Sequence, residues 1–173
     1  MQATITQKGR AAMAMAIAKC ALHLAWGSGR DEWDAPGAEI PSYAEAEALV
    51  CEVGRRIPAI VGYVTPDETG GIIIPVGTTP DGKVQTARYR LVSEPTPYLY
   101  FRADYDFDDG QNATIREAGI FVDPVVKEGL PPGQQYFTPD QILEPGYLFC
   151  AQRIDTLLRS ASQQQSIQFV QAI

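Results

Sequence analysis

The sequence predicts an α+β fold in which two N-terminal helices pack on a mainly antiparallel β-sheet or sandwich. Three observations lead there. Helix-forming residues with capping signals are confined to the first third of the chain. Beyond Gly54 the segments alternate in polarity or are rich in β-branched and aromatic residues, with Gly, Pro and Asp between them. The chain has 173 residues, 45% of them hydrophobic, which suits one domain with a sizeable core and leaves too little for two large ones. Residues 1–173 therefore read as a single domain, with a proline-rich loop at about 124–145.

Each element has its own warrant. Thr4 or Thr6 can cap a helix running to about Cys20, in which Ala14, Ile17 and Ala18 share a face. Its small alanines permit close approach of a neighbouring sheet or chain. From Cys20 the pattern becomes a strand, with Leu22, Leu24 and Trp26 on one side and His23 on the other, ending in the turn Gly27-Ser28-Gly29. The acidic loop 30–41 follows, containing Trp33, Pro36 and Pro41. Trp33 is expected either to cover the core or to anchor an interface. Ser42 with Glu45 reads as a capping box opening a second helix through Ala44, Ala46, Leu49 and Val50, stopping near Gly54.

Strand signals then take over. Residues 56–64 form a strand whose Pro58 implies an edge or a bulge. Residues 72–76 form another, and Thr79-Pro80-Asp81-Gly82 is a turn. Residues 83–93 and 98–107 alternate, and 114–122 is the expected antiparallel partner of 98–107. The proline-rich segment is mainly ordered loop, and 146–157 and 166–173 are the last strands.

Composition excludes several function classes. The net charge of −7 and pI near 4.7 disfavour nucleic acid and anionic membrane as partners. No apolar run approaches the roughly 20 residues of a membrane span, and the apolar stretch after Arg10 is ended by Lys19, too early for a secretory signal. Cys20, Cys51 and Cys150 are three, odd and widely spaced, which reads as reduced thiols of a protein made in a cytoplasm. The one histidine, His23, gives acid–base chemistry little to work with, and no Gly-x-Ser-x-Gly, phosphate-binding loop or zinc spacing is present. No catalytic residue, cofactor or metal is expected. The cluster from Asp104 to Asp109 suggests calcium, but its glycine and acidic spacing do not fit an EF-hand. A turn with solvated carboxylates is the plainer reading. A carbohydrate- or calcium-binding β module is the alternative it leaves open.

Four stretches carry a family pattern: Thr6-Gln-Lys-Gly-Arg-Ala11, Leu22-His-Leu-Ala-Trp-Gly-Ser-Gly29, Ala48 to Arg56 with its Glu-Val-Gly-Arg core, and Thr114-Ile-Arg-Glu-Ala-Gly-Ile-Phe121. Together they resemble the N-terminal domain of phage tail-collar and tail-fibre proteins and related baseplate attachment proteins. The last stretch is the most specific, and the resemblance covers residues 4–123. The loop around Trp33 and the proline-rich segment are longer than that pattern. The resemblance implies a virion structural protein of a contractile tail, at the baseplate or linking it to a tail fibre, non-enzymatic and oligomeric. Its partners would be other tail or baseplate proteins and the fibre, and with no shaft after residue 173 the chain would be an adaptor. Gly27, Gly29, Gly54, Arg55, Arg116, Glu117 and Gly119 fall on its motif positions. Arg116 and Glu117 point to opposite strand faces and so need different partners; Glu117 is expected either to form a partly buried pair with Arg55 or Arg56 or to be an exposed strand charge. Interfaces are expected at the small-residue face of the first helix, at the Trp33 loop, and at Tyr136 and Phe137.

Overall fold

The computed structural model describes residues 3–39, 42–79 and 81–173. Pro41 of the acidic loop and Pro80 of the predicted turn lie outside the described residues. Strand accounts for 46% of the chain and helix for 11%. The molecule is mainly β, and the expected two helices on a sheet are corrected to one helix with antiparallel sheets.

That helix, α1 (Gln7–Ile17), forms for the reasons its composition gives. The Thr6 hydroxyl accepts the Gly9 N–H at 3.0 Å, satisfying one donor that the first turn leaves open. The second helix does not form; residues 42–50 are turns and bends. The Ser42 hydroxyl accepts from Ala44 N–H at 3.3 Å, two residues on, and such local bonds compete with helix. A nine-residue segment cannot hold a helix on propensity alone. Here its Leu49 is drawn instead into a cluster with Ala25 and Phe121.

The strands are β1 (Leu22–Gly27), β2 (Glu52–Arg56), β3 (Ile60–Pro66), β4 (Ile72–Thr78), β5 (Val84–Val92), β6 (Tyr98–Tyr105), β7 (Thr114–Val122), β8 (Val125–Val126), β9 (Tyr136–Phe137), β10 (Ile142–Glu144), β11 (Tyr147–Leu158) and β12 (Gln165–Ala172). The chain falls into two compact units. The first comprises residues 1–19, 60–102 and 168–173, the second 20–59 and 103–167.

The first unit holds α1, β3, β4, β5 and its share of β6 and β12, in a sheet ordered β12-β6-β3-β5-β4. Its core gathers Val64, Ile74 and Tyr100, with Ile72 and Tyr89 against them. The second unit holds an antiparallel sheet ordered β11-β7-β1-β2-β9 and the two-stranded pair β8–β10. Trp26 and Tyr105 stack at 3.5 Å between centroids, and the Tyr105 hydroxyl donates to the Leu24 carbonyl at 2.7 Å.

Two further expectations are corrected. Strand β7 does not pair with β6; it lies between β1 and β11, while β6 pairs with β3. The turn at 106–113 that separates them therefore joins strands of different sheets. The expected strand over 56–64 is two strands with Pro58 in the break, because proline cannot donate to a ladder. Gly54 thus sits inside β2 and stops no helix.

Candidate assembly interface

Gly27, Gly29, Gly54, Arg55, Arg116, Glu117 and Gly119 lie in the second unit. Strand β7 carries Arg116 and Glu117 back to back, both buried. Arg116 donates to Asp34 Oδ2 at 3.0 and 2.8 Å, to the Ser28 carbonyl at 2.9 Å, and pairs with Asp31 at 2.8 Å. From β11, Thr156 donates to the other Asp34 oxygen and Arg153 to the Trp33 carbonyl. These bonds hold the Asp34 carboxyl down at about 2, with the Arg116 bond the first cause and Thr156 the second. The Trp33 ring lies over Gly29, at φ +59°, where a Cβ would collide with it. Loop 28–35 is therefore pinned by two adjacent strands.

Glu117 meets neither Arg55 nor Arg56, which corrects the expected pair. Its Oε2 accepts from the Tyr43 hydroxyl at 2.8 Å, and the Val50 backbone lies beside the carboxylate as well. Burial pushes its carboxyl above the usual range, with the Tyr43 bond working against the rise. Gly27 makes the room, since a Cβ there would lie 2.5 Å from Oε1. A Cβ on Gly119 would come within 2.9 Å of the Cys150 carbonyl, so β7 and β11 approach closely there.

The two arginines have other partners. Arg55 grips Glu52 through two bonds of 2.7 and 2.6 Å, donates to the Pro145 carbonyl at 2.8 Å, and sits 3.9 Å over the Phe121 ring. Bidentate pairing and stacking are what the planar guanidinium does best. Arg56 pairs with Asp106 at 2.8 Å and with Asp109. The Asp104–Asp109 cluster is therefore partly neutralised from within. Asp104 accepts from Ser166 at 2.6 Å, and the Arg56 bond, then Gln164, keeps the Asp106 carboxyl low. Among the described residues no group of three or more His, Cys, Asp or Glu is placed to hold a metal ion.

The proposed aromatic anchors face inward. Trp33 and Phe137 are buried, and Phe137 stacks on His23 at 5.1 Å and 6°. Tyr136, half-buried, covers Gly54, meets Tyr105 edge-on at 6.2 Å, and donates to the Val53 carbonyl at 3.3 Å. Gly29 leaves the space that the Trp33 ring fills, and Gly54 the space beneath the Tyr136 ring. Side chains that face outward include carboxylates such as Asp31 and Glu32, and the apolar Val125 and Leu143 of the proline-rich segment with Tyr147 just after it.

Sequence reasoning missed Tyr43, Arg153 and Arg159. Arg159 is buried and donates to the carbonyls of Asp106, Asp109 and Gln163 at 2.6, 3.2 and 2.9 Å, fixing the turn between β6 and β7. Their only sequence signal is indirect, because buried charges such as Glu117 and backbone carbonyls in a turn demand partners from somewhere.

The arrangement fixes loop 28–35 and the turn between β6 and β7. Burial pushes the Cys150 thiol up to about 12 and, with the Arg55 charge, His23 down to about 4. Among the described residues no helix is long and apolar enough to cross a membrane. No curated protein matches the chain. A family model does: the description baseplate wedge 3 tail fiber network component matches residues 2–173, and the chain belongs to that family.

Proposed function

We propose that this protein joins the baseplate wedge to the tail fibre of a contractile phage tail, acting through protein–protein contact and performing no chemistry. The observation that carries the reading is the family match across residues 2–173, which makes the chain a structural component of a phage baseplate and tail-fibre network. The geometry supports it. Buried arginines and glycine-seated rings are spent on fixing loops 28–35 and 124–145, leaving the outer faces of those loops ordered before any partner arrives. Preordered loops lose less entropy on docking. The acidic exterior of the second unit suits a basic neighbour, and the exposed face of α1 offers small side chains to another. The protein is made in the host cytoplasm and resides in the tail, in an oligomeric or symmetric assembly.

The test is mass spectrometry and cryo-electron microscopy of intact tail particles. The expected result is this chain at the junction of wedge and fibre root, with neighbours against loops 28–35 and 124–145. Its absence from purified particles would overturn the proposal.

A further inference from the structure

Charge is divided unequally along the chain. The first unit carries seven Lys and Arg against four Asp and Glu, a net of +3; the second carries seven against seventeen, a net of −10. Residues 1–19 contain three basic residues and no acidic one. The second unit is more acidic outside than its sum suggests, because its arginines are turned inward. Arg55, Arg116 and Arg159 are buried, Arg56 and Arg153 half-buried, and among its described residues only Arg30 and Lys127 are exposed cations.

Two surfaces show this division together with apolar exposure. On α1 and just beyond it, Lys8, Ala12, Met13, Ala16 and Lys19 are exposed, a stripe at helical spacing with a cation at each end. In the second unit the β8–β10 pair has two or three residues per strand, too little to stand without cover. Around it Val125, Leu143 and Tyr147 are exposed, Tyr147 to 79%. Exposed Glu128 and Glu144 flank them, with Lys127 the one opposing charge.

We propose that α1 of one copy docks on the β8–β10 patch of a second copy, with Lys8 and Lys19 meeting its carboxylates and Met13 covering its apolar side chains. The argument for a second copy is complementarity of charge and of apolar area within one sequence. Every chain then carries both halves in equal number. The contact is heterologous, so it propagates from copy to copy into a ring or a chain. The inference rests on the reading of the protein as one that works through protein contacts, and it adds the identity of one partner.

The experiment is sedimentation velocity on the purified full-length protein over a range of concentrations, at about 50 mM and about 500 mM salt. The expected result is concentration-dependent association that weakens at the higher salt. Charge reversal on one side, K8E with K19E, or on the other, E128K with E144K, is expected to weaken it about tenfold or more. Combining all four reversals in one chain is expected to restore it, a result that lost folding cannot mimic. Thermal melts verify that each variant folds, and Met13→Ser tests the apolar half without altering charge. A protein that stays monomeric at every concentration, or an association that none of the reversals moves, overturns the self-contact. Either result leaves the baseplate role untouched, since that is read from the content of tail particles.

Discussion

Strands β7 and β5 are each nine residues long, and each carries charged residues among apolar ones. From Ile115 to Val122 every residue of β7 is buried, whereas no residue of β5 is. Neighbours account for the difference. Strand β7 is covered on one face by Loop 28–35 and on the other by loop 42–50, which bring Asp31 and Asp34 to Arg116 and Tyr43 to Glu117. Strand β5 leaves Arg88 and Arg90 exposed, with Arg90 paired to Asp67 at the surface at 2.9 Å. A charge in a strand thus says little about burial until the loops that can neutralise it are known.

The comparison is broken most severely through Arg55, which lies in β2 but caps the Phe121 ring of β7. Arg55→Ala strands the Glu52 carboxylate and the Pro145 carbonyl, and a loss of about 3–5 kcal/mol is expected in denaturant unfolding. Glu117→Gln sharpens it. Because burial raises the Glu117 pKa above its unfolded value, the carboxyl's contribution is fully present below the unfolded pKa and is lost as pH rises through the folded one. Glutamine keeps an acceptor for Tyr43 and loses the buried charge. The variant's Tm should exceed that of the natural protein above the carboxylate range, with the difference closing at acid pH. At the mild end, Val84→Ser on the exposed strand is expected to change stability by about 0.5 kcal/mol or less, and a larger loss there would mean that β5 is covered in solution.

How much of this was legible in the sequence can be read from the same strands. Alternation located β6 to within two residues, because periodicity is local information, and the span 114–122, read as its expected partner, matches β7. The pairing of β7 with β1 and β11 was not legible: sequence neighbours usually pair, and here the Asp106–Asn112 turn, locked by Arg56 and Arg159, leads into another sheet. The missing second helix has a similar cause. Its Ser42 signal is sound as a local preference, but Tyr43 and Leu49 are wanted by Glu117 and by the Ala25–Phe121 cluster, and tertiary demand outweighs propensity over so short a segment. At the site, the family pattern singles out Gly27, Gly54 and Gly119, and what the pattern does not give is the atom each makes room for, in Glu117, Tyr136 and Cys150. Those atoms lie 31 to 90 positions away, farther than a local window spans. Glycine also makes room for two of the aromatics: the Trp33 ring lies where a Cβ on Gly29 would be, and the Tyr136 ring where a Cβ on Gly54 would be.

The position of β7 also sets a clock. Its amides lie between β1 and β11, with both faces covered, so water reaches them only when the second unit opens as a whole. Hydrogen–deuterium exchange along Ile115–Ile120 should then report the unit's global free energy of opening, while amides at the free edge of β4 exchange through local fraying. Deuterium uptake at those two places would separate loosening of the whole unit from loosening of one rim, and a partner that covers β4 would slow the second without touching the first.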